Sequence, residues 1–518
     1  MTTGVVRSGY RLCLVTLFAG LLAGCAGGLA PLEHSQDSGA DIVADSYLFD
    51  QRTRHLDPQS GQSGFALLNT GREAFLARAA LIEAASQSID AQYYIWNDDK
   101  TGRYLAGRLM AAADRGVRVR LLLDDINLAG NEALFAGLDA HPGITVRVFN
   151  PVRPRSGVSR LLSLAASFDR VNRRMHNKSF VVDGQAGIAG GRNVGDEYFD
   201  EDPLQNTRDR DVLVLGPLVE ALGDSFQAYW QNTWTYPLNR LYQPEPGEPL
   251  PWQASVETEG NDKPDLRARP PATVNAARNY LDQLLATVTQ APAELVFDPL
   301  PDNPEIDADT PKATAQALYR LANAAENEIL IESAYLILTD EELNGTSGLG
   351  NPEVPVIAFT NSLATNDLVT NHSGYARWRR AMLEHGIELY ELRPDAPACW
   401  RWVADAAACR QGGITLHSKA VVFDRETLFI GSFNVNLRSI YLNGETILII
   451  HSPEMAQTVA DDIRYAMASE NSWQVSLDEN DDLIWQSGEE RYDHEPQVGL
   501  WTRMKSRFLS WLPIAKYL

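Results

Sequence analysis

Apolar positions along the chain switch between a helical and an extended period at short intervals. Gly71–Ala85 predicts a helix, Ser88–Trp96 a strand, Thr101–Arg115 a helix, Val117–Leu123 a wholly apolar strand and Thr145–Phe149 another. The order recurs downstream as helix Lys312–Ala325, strands Glu328–Tyr335 and Val354–Thr360, helix Tyr375–His385 and strand Ile387–Leu392. A strand that is apolar throughout has to be covered on both faces, so each half predicts an α/β unit around a buried sheet. The units are expected at 63–236 and 311–490, and 518 residues suffice for both. Residues 237–310 are dense in Pro, Glu and Asp and read as a connector with one helix near Ala272–Thr289.

The halves also share a motif. His176-Asn177-Lys178 is followed by Asp183, Gly190 and Asn193, and His417-Ser418-Lys419 by Asp424, Gly431 and Asn434, at identical intervals. The apolar runs Ser179–Val182 and Ala420–Phe423 predict strands, and on a strand His and Lys two apart point to the same side. Each copy then offers an imidazole, a cation and an amide to one pocket, a set suited to gripping a phosphate. Ser432 and the two asparagines, Asn193 and Asn434, are expected on the substrate. A second aligned acid follows each copy, Asp209 eight residues before Pro217 and Glu445 eight before Pro453. A carboxylate bound to one imidazole nitrogen fixes the role of the other, which makes Asp209 and Glu445 candidates for orienting the histidines.

The pattern H-x-K-x(4)-D-x(6)-G-x-x-N, present twice and intact, resembles the HKD signature of the phospholipase D superfamily, and the resemblance runs from about Gly64 to Leu518. It implies two phospholipase D-like α/β sandwich domains in a pseudo-twofold pair with one shared active site. The implied catalytic set is His176, Lys178, Asp183, His417, Lys419 and Asp424, with Asp183 and Asp424 supporting the motifs rather than touching substrate. By the same resemblance His176 is the nucleophile, forming a phosphohistidine, and His417 is the general acid and then base. No cofactor and no metal ion is implied.

Arg7 and Arg11 precede a short apolar run, Leu12–Leu22, that ends in Leu22-Ala23-Gly24-Cys25. This resembles a bacterial lipoprotein signal and predicts removal of 1–24, lipidation of Cys25 and a tether over 25–62. Cys399 and Cys409 then remain in an oxidising compartment ten residues apart and are a candidate disulfide. The protein is expected to be exported and anchored facing the periplasm. The chain carries a net charge of −23, and loss of Arg7 and Arg11 with the signal takes it to −25. So acidic a chain argues against nucleic acid as a partner. Arg153, Arg155, Arg160, Arg170, Arg173 and Arg174 cluster ahead of the first motif and are expected to draw an anionic headgroup towards it.

Asn361–Asp367, His372–Arg377 and the stretch from Leu437 to Glu445 are similar to bacterial cardiolipin synthases of the C type. His372 is expected in a loop or pocket wall. In Leu500–Leu512, Trp501, Met504, Phe508 and Trp511 share one face beside Arg503, Lys505 and Arg507, so residues 491–518 read as a basic amphipathic tail at a membrane interface. Docking of that face on the protein's own core is the alternative. The whole predicts a membrane-bound phosphatidyltransferase that makes cardiolipin. Its lipid partners would be phosphatidylglycerol, with phosphatidylethanolamine as a further candidate. The alternative is a hydrolytic phospholipase D that releases phosphatidic acid.

Overall fold

The computed structural model describes residues 31–34, 46–155, 167–243, 270–271, 273–300, 310–344, 353–403, 406–512 and 515–518, with positions 157, 160 and 164. The predicted export signal and Cys25 lie outside these residues.

The first unit is a mixed sheet of nine strands in the order Thr289–Ala291, Ser63–Leu68, Asp211–Leu215, Ala186–Gly190, Ser179–Val182, Ser88–Tyr93, Arg118–Asp124, Ile144–Phe149 and Thr235–Pro237. The second has ten: Ala293–Phe297, Thr446–His451, Thr427–Gly431, Lys419–Phe423, Ile329–Ser333, Val356–Asn361, Glu388–Leu392, Ser472–Leu477, Leu483–Ser487 and Glu490–Tyr492. In both, the motif strand runs antiparallel to the strand that opens a parallel trio, with Ile89 opposite Val182 and Ile329 opposite Phe423. Val212–Leu215 and Thr446–Ile450 are buried throughout, as strands covered on both faces must be.

Helices Gly71–Ala84 and Lys100–Asp114 cover the outer face of the first sheet and begin at strong caps, a Thr70–Glu73 capping box and Asp99. Helix Pro453–Ala466 turns Met455, Ala456, Val459, Ala460 and Ile463 into the layer where both sheets meet. Ion pairs between buried arginines, the fully buried Glu332 and the partly buried Asp462 join the halves in the same layer. Glu332 accepts from Arg208 Nε at 2.6 Å and Arg210 Nε at 3.0 Å, and Asp462 from the outer nitrogens of both at 3.1 and 2.7 Å.

Two stretches are more ordered than their composition suggests. Tyr47–His55, inside the predicted tether, is a helix capped by Ser46, and its Tyr47 hydroxyl donates to Asp282 at 2.8 Å. The connector holds helix Val274–Leu285 against Gly71–Ala84, and then gives one edge strand to each sheet on either side of Pro292. Its residues 244–269, 272 and 301–309 lie outside the described set. Helix Val369–Glu384 starts six residues earlier than predicted, because Asn371, His372, Ser373 and Gly374 are weak helix formers held by packing. A Cβ at Gly374 would lie 2.6 Å from Ile337 and 2.9 Å from Leu518. Cys399 and Cys409 are joined by a disulfide, with Cα atoms 5.6 Å apart. No helix among the described residues is long and apolar enough to cross a membrane.

Candidate active site

The two motifs meet at the junction of the halves. The His176 N–H donates to the Gly444 carbonyl at 2.8 Å, and the Gly444 N–H returns to Arg174. In the other half, strand Asn206–Arg208 pairs in parallel with Ile414–Leu416, and the His417 N–H donates to the Arg208 carbonyl at 2.8 Å. Gly444 precedes Glu445 as Arg208 precedes Asp209, so the two junctions are pseudo-twofold equivalents.

This geometry exchanges the acids. His176 Nδ1 meets Glu445 at 2.8 and 3.0 Å, and His417 Nδ1 meets Asp209 at 2.5 Å, so each imidazole is held by the other half's carboxylate. With Nδ1–H donated, Nε2 is the nitrogen left to act on substrate. Both rings keep a sliver of accessible surface, 9% and 10% of the side chain. The edges of Tyr94 and Tyr198 pack on His176 and His417, with ring centroids 4.8 and 5.2 Å apart.

The halves build this pair differently. Glu445 also accepts from Ser432 Oγ, from Ser439 Oγ at 2.7 Å and from Asn443 Nδ2 at 3.2 Å. At the position equivalent to Ser432 the first half has Gly191, where a Cβ would fall 2.2 Å from Asp209 Oδ1. The shorter acid approaches through a glycine, and the longer one is held by a serine. Ser432, expected on the substrate, is thus fully buried and belongs to the carboxylate.

Lys178 Nζ donates to the carbonyl of His176 at 2.6 Å, and Lys419 does the same to His417, just ahead of or at the start of the motif strands Ser179–Val182 and Lys419–Phe423. Lys419 Nζ also comes within 3.1 Å of His417 Nδ1. That nitrogen's proton is given to Asp209, so the approach is a packing contact. Burial, with the neighbouring lysine adding to it, lowers Lys178 to about 7 even though Glu445 pulls the other way. Burial lowers Lys419 too. His176 is pushed down to about 4 by burial, partly offset by Glu445, and His417 is lowered by burial and Lys419. For Glu445 and Asp209 burial opposes ionisation, yet the facing histidine and lysine outweigh it and hold both carboxyls below their ordinary values. Each imidazole also feels the other half's lysine, so the four groups lie within electrostatic reach of one another. Asn193 Oδ1 accepts from the Ile95 N–H at 3.1 Å, while Asn434 Oδ1 is buried without a partner.

Asp183 and Asp424 are not in this pocket. They end the motif strands, about 16 Å along the strand from the lysines at 3.3 Å per residue. Both sit at positive φ, 53° and 54°, and accept backbone N–H groups, Asp183 from Ser86, Gln87 and Ser88, and Asp424 from Glu326, Asn327 and Glu328. They anchor the turn before the neighbouring strand, and their place in the catalytic set is corrected accordingly. His372 is buried in a helix, its Nε2 3.3 Å from Glu495. Part of the arginine cluster is turned inward: Arg155 pairs with Asp125 and Glu132 and Arg174 with Asp124, while Arg170 donates to the neutral Asn150 side chain and Arg153 is exposed. Arg155 and Arg174, whose charges are already matched, therefore drop out of the expected headgroup-steering set.

Two α/β units, each placing a His-x-Lys strand against the other's carboxylate, define a phospholipase D-type phosphoryl-transfer site. The family model described as "Cardiolipin synthase, PLD-like domain" matches residues 79–230 and 318–467. The chain belongs to that family of enzymes. It is 37% identical over 468 residues to "Cardiolipin synthase C" of Escherichia coli, covering 88% of this chain and 96% of the relative. With "Cardiolipin synthase" of Halalkalibacterium halodurans it shares 23% over 430 residues, 83% and 70% of the two chains. The crystal structure of Haemophilus influenzae phosphatidylserine synthase has the same fold, with a TM-score of 0.58 at 12% identity over 90% of this chain and all of that one.

Proposed function

We propose that the protein makes cardiolipin by passing a phosphatidyl group through a phosphohistidine to phosphatidylglycerol. The exchanged His–carboxylate pairs carry this reading, together with the near full-length match to "Cardiolipin synthase C". His176 Nε2 attacks phosphorus, and the P–O bond to the leaving alkoxide breaks as His417 protonates it. The acceptor hydroxyl then gives its proton to His417 and attacks phosphorus, and the P–N bond to His176 breaks. Burial holds His176 neutral, as the nucleophile must be. The short Asp209 contact suits the imidazolium that donates. The phosphate's charge meets Lys178 and Lys419, whose charged forms burial disfavours when the pocket is empty.

The donor is phosphatidylglycerol or phosphatidylethanolamine. The protein works as an exported lipoprotein, lipidated at Cys25 and facing the periplasm, a compartment that suits the Cys399–Cys409 disulfide. Lipid extracts of a cardiolipin-deficient host expressing the chain test the reading. Cardiolipin is expected. Phosphatidic acid alone, with phosphatidylglycerol abundant, would replace the synthase by a hydrolase.

A further inference from the structure

Helix Leu500–Leu509 lies on the protein with its apolar side outward. Ser506 is its buried residue, set against helix Val369–Glu384, and Arg377 donates to the Ser510 and Leu512 carbonyls just beyond its end. Trp501 is 80% exposed, Met504 51% and Phe508 63%, and Trp511 in the following turn is 74% exposed. At 100° per residue Trp501, Met504 and Phe508 form one arc centred about 180° from Ser506. Exposed Lys505 borders that arc on one side and exposed Arg507 on the other. A surface helix of a globular protein normally turns its apolar stripe inward. This helix spends its polar side on the protein.

We propose that this arc is a docking face for an anionic phospholipid bilayer. Lys505 and Arg507, flanking the arc on a chain of net charge −23, supply local complementarity to acidic headgroups. A second copy is a poor occupant, because a ten-residue helix offers far less than the roughly 800 Å² per partner of a stable dimer. The face is also tied to the catalytic centre. Past it, the Tyr517 and Leu518 carbonyls accept from Arg438 at 3.0 Å and Asn436 at 2.9 Å, in the turn that follows Asn434. Asn436 caps the helical turn whose Ser439 holds Glu445. Docking would therefore set the active-site junction at the bilayer surface.

The inference rests on the phosphatidyl-transfer reading only for the kind of surface, so binding is measured without turnover. The full chain, carrying Cys25→Ser so that no lipid anchor contributes, is floated with phosphatidylcholine vesicles with and without phosphatidylglycerol. Two variants are compared with it: Trp501→Gln/Phe508→Gln/Trp511→Gln and Lys505→Gln/Arg507→Gln. Binding should require phosphatidylglycerol. The first variant should lose at least tenfold, and the second about fivefold per cation, the contribution of one basic residue near an acidic surface. Turnover of a monomeric short-chain phosphatidylglycerol should be unchanged in both. Equal flotation of all forms overturns the proposal, as does sedimentation showing that the variants instead dissolve a dimer of the parent chain.

Discussion

Replacing Glu445 by Gln tests the exchanged pair most directly. Glu445 collects His176 Nδ1 and Ser432 on one oxygen, and Ser439 and Asn443 on the other. If the new amide nitrogen faces His176, two donors oppose each other. The ring then relieves the clash by moving its proton to Nε2, and that nitrogen can no longer attack. Loss of the correct tautomer at a comparable His–carboxylate pair costs about 10⁴ in kcat, or roughly 5 kcal/mol of barrier. If the nitrogen turns to Ser439 and Asn443, the tautomer survives but the buried charge opposite the imidazole is gone. We therefore expect at least about 10³-fold loss of transfer by the first route and about 10²-fold by the second. Rapid-quench counting of labelled phosphohistidine from phosphatidylglycerol vesicles, beside thermal unfolding to confirm the fold, reads the loss. A folded variant within tenfold of the parent would refute the role given to Glu445. The other half supplies a rescue: Glu445→Asp/Ser432→Gly copies Asp209 and Gly191, and should recover more activity than Glu445→Asp alone.

His176→Ala and His417→Ala should each abolish turnover, and near-parental activity in either would sink the two-histidine mechanism. Lys178→Met should remove activity yet stabilise the free protein at neutral pH by about 1–3 kcal/mol, seen in denaturant midpoints, because it deletes a buried cation. The folded pKa of Lys178 lies below that of the unfolded chain, which therefore binds more protons between about 7 and the ordinary lysine value, so the parent's stability falls as pH drops through that window. For the same reason kcat/KM should decline as pH rises through about 7, where Lys178 in the empty pocket loses its proton, and bound phosphodiester should move that limb of kcat upward. Glu332→Ala should cost about 3–5 kcal/mol, because Arg208 and Arg210 are left buried against one carboxylate fewer. An unchanged urea midpoint would remove its role in joining the halves.

The site's parts were legible because strand geometry is local: a two-residue period puts His176 with Lys178, and His417 with Lys419, whatever the rest of the chain does. The aligned intervals also picked out Asp209 and Glu445. Which acid serves which histidine was not legible, since it depends on how two sheets dock over 200 residues apart in sequence. Ser432 was misassigned for the same reason, as its hydroxyl is consumed by a carboxylate thirteen residues downstream. Asp183 and Asp424 look catalytic by company, but the same period places them at the far strand end, a turn-building position at positive φ. The edge strands Thr289–Ala291 and Ala293–Phe297 escaped notice because their partners, rather than their composition, make them strands.

Exchange of the acids has a consequence for how the two halves depend on each other. A single unit would own a histidine and a lysine with no carboxylate behind them, and a buried acid with no cation in front. Each buried carboxylate is held ionised chiefly by the other half's imidazole and lysine. Separation would leave an uncompensated charge on both surfaces, at several kcal/mol each. The Glu332, Arg208, Arg210 and Asp462 cluster works in the same direction, since Asp209 sits between the two arginines that are clamped to the second unit. The groups that hold the halves together and those that align His417 are therefore adjacent along one stretch of chain. Separation of the sheets would withdraw Asp209 from His417 and Glu445 from His176 together, so docking of the halves and assembly of the catalytic pairs are one event.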